Sequence, residues 1–305
     1  MSQGEMLPMK SSTNTFDGDA HGTENGITQK PTMERWFSRA SHSSPKVRLF
    51  CFPYAGGNAR MFREWHDWCG PEVEVVAVEL PGRGFNSRIP FINSMDAMIE
   101  RLLPVIDPLL DRPFALFGHS MGALISFELS RTLRARGCKT PLRLFASGMR
   151  APHLWGGDKI HLLPDDQFVE ALKTLNGTPS EILGDSDLLE MFVPLLRADL
   201  RLSETYQFTP GTPLQHPITV FGGIEDMTTP ANHLHEWQRH TRGSCTVRLL
   251  EGHHFFIQQS AHLVAASILK SLGRVSMPAA FEPVFASAAT ESRIQETEPA
   301  YSGGD

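Results

Sequence analysis

The sequence predicts an α/β fold, with a mostly parallel central sheet flanked by helices. Short apolar runs, typical of buried strands, alternate along the chain with longer segments of helical periodicity. The chain has 305 residues, of which 41% are hydrophobic, so it can bury a substantial core. Both observations favour one α/β domain, and no internal repeat interrupts the pattern.

The folded domain is expected to span residues 45–274. Residues 1–44 are rich in Ser, Thr, Gly, Asn and Asp and show no apolar period, so burial cannot offset the entropy lost on ordering them. Residues 275–305 have a similar character. We therefore expect a flexible N-terminal extension and a flexible C-terminal tail.

Six apolar runs are predicted to form the strands of the sheet, with helices between them. They are Val47–Phe52, Val73–Leu80, Phe114–Phe117, Leu142–Ser147, Ile218–Phe221 and Thr246–Leu250. Residues 121–136 have apolar side chains at helical spacing and end in a basic turn before Gly137, as helices commonly do.

Residues 161–206 interrupt this alternation, because they hold several helical patterns and no strand. An all-helical insertion at this point would lie across the carboxyl ends of the strands, where open α/β sheets bind their ligands. We expect residues 161–206 to form a helical lid.

A serine with the surroundings of a catalytic nucleophile lies between the third predicted strand and the helix that follows it. Residues 116–122 read Leu-Phe-Gly-His-Ser-Met-Gly. In such a nucleophile elbow the serine occupies a tight turn, and the flanking glycines avoid collisions with neighbouring backbone. Ser120 is therefore the candidate nucleophile, and His119 is expected to be a packed, loop-supporting side chain.

A serine hydroxyl needs a base to take its proton and an acid to orient that base. The loop after the fifth predicted strand offers Glu225 or Asp226, and the loop after the sixth offers His253 or His254. The order Ser, acid, His is the one that this type of fold uses. His254 is favoured because it adjoins the aromatic residues that would anchor the loop, whereas the residues alone leave the acid undecided.

The oxyanion of an acyl-transfer intermediate needs backbone N–H donors. Met121, directly after the serine, supplies the first. The second is expected from residues 51–57, Cys-Phe-Pro-Tyr-Ala-Gly-Gly, where paired glycines let the backbone approach a ligand closely.

Composition excludes several other kinds of protein. The net charge of -6 and the absence of a basic stripe argue against nucleic-acid binding. No apolar run approaches a membrane span, and no secretory signal is present, so we expect a soluble, cytoplasmic protein.

The four cysteines lack metal or redox spacing and are interpreted as reduced structural thiols. A metal site among His233, His235 and His240 is disfavoured by their spacing.

Seven segments of the predicted domain carry a family resemblance. They read Phe-Pro-Tyr-Ala-Gly-Gly (52–57), Leu-Pro-Gly-Arg-Gly (80–84), Phe-Gly-His-Ser-Met-Gly (117–122), Ser-Gly-Met-Arg-Ala-Pro (147–152), Gly-Thr-Pro (177–179), Leu-Arg-Ala-Asp-Leu (196–200) and Gly-His-His-Phe-Phe (252–256). Together they resemble the stand-alone, type II thioesterases of nonribosomal peptide and polyketide synthetases, which have the α/β-hydrolase fold. Two features depart from the family: His253 stands where Gly or Asp is more usual, and both tails are longer.

Carried over by residue, the resemblance implies a catalytic triad of Ser120, Asp226 and His254, with Ala55 and Met121 in the oxyanion hole. It implies hydrolysis of acyl or aminoacyl thioesters on the phosphopantetheine arm of carrier proteins, as an editing step in secondary-metabolite biosynthesis. No metal or organic cofactor is expected, and we expect a monomer. The alternatives are a carboxylesterase or lipase, an acyltransferase, and a non-catalytic interaction protein on the same fold.

Overall fold

The computed structural model describes residues 36–39, 44–156, 159–175, 184–273 and 295–297. Within them lies an eight-stranded sheet in the order β1-β3-β2-β4-β5-β6-β7-β8. The strands are β1 (Phe37–Arg39), β2 (Val47–Phe52), β3 (Val73–Val78), β4 (Phe114–His119), β5 (Leu144–Ser147), β6 (Ile218–Gly223), β7 (Cys245–Leu250) and β8 (Gln295–Thr297). Neighbouring strands from β3 across to β7 are parallel, whereas β1 and β8 pair antiparallel at the two edges.

Helices cover both faces of the sheet. They are α1 (Trp65–Cys69), α2 (Met95–Ile106), α3 (Met121–Ala135), α4 (Asp165–Leu175), α5 (Ser186–Glu204), α6 (Ala231–His235) and α7 (Phe256–Leu272). Helices α2, α3 and α6 pack on one face, and α1 and α7 on the other. Because successive side chains of a strand point to opposite faces, β2 sends Phe50 and Phe52 to the first layer and Leu49 and Cys51 to the second.

The predicted α/β fold and its six central strands are confirmed, with small shifts in their ends. The largest shifts are two residues, at one end of β3, β4, β5 and β6; β5, for example, begins at Leu144 instead of Leu142. Leu142 is 46% exposed, so hydrophobicity alone did not mark the start of the strand.

The prediction that the whole of residues 1–44 is a flexible extension is wrong for residues 36–39. Phe37 pairs with Val78 at the edge of the sheet, and Trp36 is fully buried. The backbone N–H of Glu79 also donates to the carbonyl of Trp36, at 2.9 Å. Two large aromatic side chains gain enough from burial to order this short segment. Residues 1–35 lie outside the described part of the chain.

The C-terminal tail also contributes to the sheet, which the sequence did not predict. Residues 295–297 form β8 and pair with β7. A strand at this position uses backbone hydrogen-bonding groups that β7 would otherwise present as an open edge. Residues 274–294 and 298–305, the rest of the predicted tail, are outside the described residues.

The described residues of the insertion, 161–175 and 184–206, are mainly helical, as predicted, and contain no strand. Helices α4 and α5 share a small apolar core of their own, which includes Phe168, Leu172 and Leu196. Arg197 of α5 donates to the carbonyls of His161 and Leu163, which ties α5 to the start of the insertion. The segment Gly-Thr-Pro (177–179) lies outside the described residues.

Candidate active site

Ser120 occupies a strained turn between β4 and α3. Its φ of 52° makes it the one non-glycine residue with positive φ in the described chain. The turn is crowded: a Cβ added to Gly118 would lie 2.0 Å from the carbonyl oxygen of Gly122, and one added to Gly122 would lie 2.3 Å from that of Phe52. Both glycines are therefore needed sterically, as a nucleophile elbow requires. The N–H of Ser120 donates to the carbonyl of Ser147 at 2.7 Å, which holds the turn against β5.

A histidine and a carboxylate from two later loops complete the arrangement. His254 Nε2 lies 3.0 Å from Ser120 Oγ, and His254 Nδ1 lies 2.8 Å from Asp226 Oδ2. Asp226 follows β6, and His254 lies between β7 and α7. The structure thus brings together the three predicted triad residues at the carboxyl ends of the parallel strands, in one hydrogen-bonded chain.

The acid and histidine loops are held together by their backbones. The N–H of Ile224 donates to the carbonyl of Leu250 at 2.8 Å, and that of Glu225 donates to Gly252 at 3.1 Å. A Cβ on Gly223 would lie 2.4 Å from the Gly252 carbonyl oxygen, so a side chain there would push the loops apart. The distance between acid and base is therefore fixed by backbone.

The carboxylate of Asp226 is buried and surrounded by donors that the sequence analysis missed. Besides His254, it accepts hydrogen bonds from the hydroxyls of Thr228 and Thr229, each at 2.6 Å, and from the N–H of Thr228 at 2.9 Å. Burial alone would raise the pKa of Asp226, but the hydrogen bond and charge of His254, together with the two threonine hydroxyls, hold this pKa well below its ordinary value. The carboxylate therefore stays ionised beside the imidazole. The signal in the sequence was the Thr-Thr pair two residues after the aspartate, a pattern in which side chains cap a turn.

The geometry distinguishes between the residues that the sequence left open. The side chains of Glu225 and His253 are 58% and 78% exposed, and Glu225 Oε2 lies 3.5 Å from His253 Nε2. His253 Nδ1 donates to the carbonyl of Glu225 at 3.1 Å. The structure therefore brings Asp226 and His254 to Ser120, and leaves Glu225 and His253 on the surface.

His119 supports the loop of the candidate base, as predicted. The ring is fully buried, with Nε2 3.0 Å from the carbonyl oxygen of His254 and Nδ1 2.9 Å from Ser147 Oγ. Because a carbonyl oxygen only accepts, Nε2 of His119 carries the proton, and Nδ1 accepts a hydrogen bond from the Ser147 hydroxyl. Burial, followed by the nearby charge of His254, lowers the pKa of His119 well below its ordinary value. His119 is therefore a neutral support and not a second base.

The candidate oxyanion donors lie on either side of the serine. Met121 is the first residue of α3, where backbone N–H groups have no partner within the helix. Ala55 lies in the loop directly after β2, in a turn closed by the N–H of Gly57 donating to the carbonyl of Tyr54 at 2.9 Å. The close approach of Gly122 to Phe52 brings the start of α3 against the end of β2, so both segments border the same site.

Within the described ranges, no three His, Cys, Asp or Glu side chains form a group that would hold a metal ion. Cys51 and Cys69 are buried thiols, and burial raises the pKa of Cys69 to about 12. No helix of the described residues has the length and apolar character of a membrane span. The expected independence from cofactors stays a prediction.

A nearly parallel sheet, a serine on a strand-to-helix turn, and an acid and a histidine on later loops together define an α/β hydrolase. The comparison with known protein families is consistent with this class, since the thioesterase domain model matches residues 47–272. The chain belongs to the thioesterase family.

The similar proteins include members of several biosynthetic pathways. The gramicidin S biosynthesis protein GrsT of Aneurinibacillus migulanus is 40% identical over 249 residues, which cover 81% of this chain and 97% of GrsT. The thioesterase RedJ of the prodiginine pathway in Streptomyces coelicolor superposes with a TM-score of 0.72 at 37% identity, covering 76% of this chain and 94% of RedJ. BorB, a type II thioesterase from the borrelidin cluster, has a TM-score of 0.72 at 32% identity, covering 78% of this chain and 98% of BorB. The resemblance inferred from the sequence is confirmed.

Proposed function

We propose that this protein is an editing type II thioesterase, which hydrolyses acyl or aminoacyl thioesters on the phosphopantetheine arms of carrier proteins in nonribosomal peptide or polyketide biosynthesis. The observation that supports it best is the hydrogen-bonded chain from Ser120 through His254 to Asp226 in a member of the thioesterase family. Similarity to GrsT, RedJ and BorB supports the kind of pathway and hence the kind of partner.

In the first step, Ser120 Oγ attacks the thioester carbonyl while His254 Nε2 takes the hydroxyl proton. Asp226 accepts the Nδ1 proton in a hydrogen bond throughout and stabilises the imidazolium. The N–H groups of Ala55 and Met121 stabilise the oxyanion of the tetrahedral intermediate. Collapse of that intermediate breaks the C–S bond, and His254 returns the proton to the departing thiolate. An acyl-serine and a free phosphopantetheine thiol result.

The second step removes the acyl group. Water, deprotonated by His254, attacks the acyl-serine, and the second tetrahedral intermediate uses the same oxyanion donors. Its collapse returns a proton to Ser120 Oγ and releases the carboxylic acid. The balance is one thioester and one water giving one acid and one thiol, and these steps use only side chains and backbone groups of the chain.

The proposal has three further parts, which concern the insertion, the oligomeric state and the location of the enzyme. Residues 161–206 act as a lid that admits short or aberrant acyl groups. The enzyme works as a monomer, because one chain supplies every residue of the candidate site. It works in the cytoplasm, where a carrier protein would reach the serine from solution.

The test uses a carrier protein loaded in turn with acetyl, medium-chain and aminoacyl groups. We expect the wild type to release each thiol faster than Ser120→Ala. In a separate experiment, a fluorophosphonate should label Ser120 of the wild type stoichiometrically. Equal rates for wild type and Ser120→Ala on every acyl group would overturn the proposal. Faster cleavage of matched oxygen esters would instead indicate an esterase, and product that depends on an added acceptor would indicate an acyltransferase.

A further inference from the structure

Two motifs in the sequence have no role in the mechanism above, although the fold brings them together. Arg83, from Leu-Pro-Gly-Arg-Gly, and Asp199, from Leu-Arg-Ala-Asp-Leu, lie 116 positions apart in the chain. Arg83 Nη1 donates to Asp199 Oδ2 and Nη2 donates to Asp199 Oδ1, each at 2.7 Å. The side chains are only 5% and 2% exposed. This is a buried, bidentate ion pair, the strongest geometry that arginine forms with a carboxylate.

The ion pair holds the loop of the candidate oxyanion donor from two sides. The N–H of Gly56 donates to Asp199 Oδ2 at 2.7 Å, and Arg83 Nη1 donates to the carbonyl of Gly57 at 3.0 Å. Gly56 directly follows Ala55, so its N–H belongs to the peptide group that begins with the Ala55 carbonyl. The orientation of the loop next to Ala55 is thus set by two charged side chains.

The helix that carries Asp199 also packs directly on this loop. Phe192, Leu196 and Asp199 are spaced along α5 so that they share one face. A Cβ built on Gly56, whose φ is +78°, would lie 2.5 Å from Leu196 Cδ2 and 3.4 Å from Phe192 Cε1. The helix and the loop are therefore in contact through apolar and charged groups at once.

We infer that Asp199 and Arg83 are positioning residues that hold the Ala55 N–H in place for the oxyanion, and so connect the insertion helix α5 to catalysis. The inference rests on the proposed function, because it assigns the residues a part in that reaction. Neither side chain touches the reacting atoms. Their effect is on the geometry of a donor that matters more in the transition state than in the bound substrate.

The experiment compares Asp199→Asn and Arg83→Lys with wild type. Asparagine has nearly the shape of aspartate, but its one oxygen cannot accept hydrogen bonds from both arginine nitrogens in the bidentate geometry. Lysine keeps the positive charge but lacks the planar guanidinium that forms the bidentate pair. Three quantities are measured: kcat and KM on one acyl-carrier thioester, the affinity for an alkyl boronic acid, and the number of active sites by fluorophosphonate titration. The boronic acid forms a tetrahedral adduct with a catalytic serine, so its affinity reports on the oxyanion hole.

We expect kcat per titrated site to fall by about 100-fold in Asp199→Asn, with KM nearly unchanged. Boronic acid affinity should fall by a similar factor. A purely structural ion pair would lower thermal stability and the number of active sites, but would leave kcat per site unchanged. Arg83→Lys tests the same geometry independently if the asparagine variant folds poorly.

Glu74→Gln supplies the matched control, because Glu74 forms a similarly buried ion pair with Arg48, at 2.7 Å, in the first halves of β3 and β2. It should lose stability and retain kcat per site. The inference fails if both Asp199→Asn and Arg83→Lys keep wild-type kcat per site, or if Glu74→Gln loses kcat equally. If the wild type neither cleaves thioesters nor reacts with fluorophosphonate, the proposed function fails instead, and the inference with it.

Discussion

Replacing Asp226 by asparagine would disable the candidate base while leaving its surroundings almost intact. Oδ1 accepts the backbone N–H groups of Thr228 and Thr229, at 2.9 and 3.3 Å. Backbone N–H groups only donate, so the amide oxygen of asparagine must occupy this position. The amide NH₂ then occupies the Oδ2 position, where it faces His254 Nδ1.

The direction and size of the effect follow from that orientation. An NH₂ group facing His254 Nδ1 requires the ring to accept there, so the ring proton moves to Nε2. A protonated Nε2 cannot take the proton of Ser120. A triad with the wrong tautomer loses about 10⁴-fold in kcat, which corresponds to about 5 kcal/mol in the activation free energy.

The assay is thiol release from an acylated carrier protein, with Asp226→Asn, Glu225→Gln and wild type compared at equal folded concentration. The carboxylate of Glu225 is largely exposed, so Glu225→Gln should change kcat by less than about threefold. Retention of a tenth or more of the wild-type kcat by Asp226→Asn would refute the tautomer argument. A large loss in Glu225→Gln would refute the assignment of the acid.

Two further predictions concern stability. Gly122→Ala should cost about 1–3 kcal/mol in the free energy of unfolding, measured with urea, and also lower turnover, because its Cβ would lie 2.3 Å from the Phe52 carbonyl oxygen. Gly156→Ala, with no heavy atom within 4 Å of the new Cβ, is the control and should change neither. Burial and two nearby arginines lower the pKa of His216 to about 4. Its pKa is higher in the unfolded chain, about 6.5, so protonation at acid pH favours unfolding. As the pH is lowered from about 6 to 4, the free energy of unfolding of the wild type should therefore fall by about 1.4 kcal/mol per pH unit more than that of His216→Leu. Parallel stability curves for wild type and His216→Leu would contradict this.

Local patterns predicted the parts of the molecule that local physics determines. The elbow at Ser120 was found because the strand, the turn and the helix are contiguous in sequence. The central strands were found because burial on both faces makes them apolar. The roles of Ala55 and Met121 in the oxyanion hole stay predictions, although both residues border the site.

The missed features depend on contacts between distant segments. Strand β1 was missed because a three-residue edge strand has no recognisable period, and β8 because its pairing partner is far away in sequence. The choice between Glu225 and Asp226 depended on how one loop turns, which adjacent residue types do not determine. The pairing of Arg83 with Asp199 could not be derived from spacing, since only the fold brings them together.

The contact between α5 and the loop at Gly56 limits how this insertion can vary among related enzymes. An insertion that only covered a binding site could be exchanged whole between relatives to change the acyl group accepted. Here the face that carries Leu196 and Asp199 must be kept together with Gly56 and Arg83, whereas exposed positions of the helix such as Met191 remain free to diversify. A chimera that receives the helix without Gly56 and Arg83 would therefore misplace the loop next to Ala55, whatever acyl group it accepts.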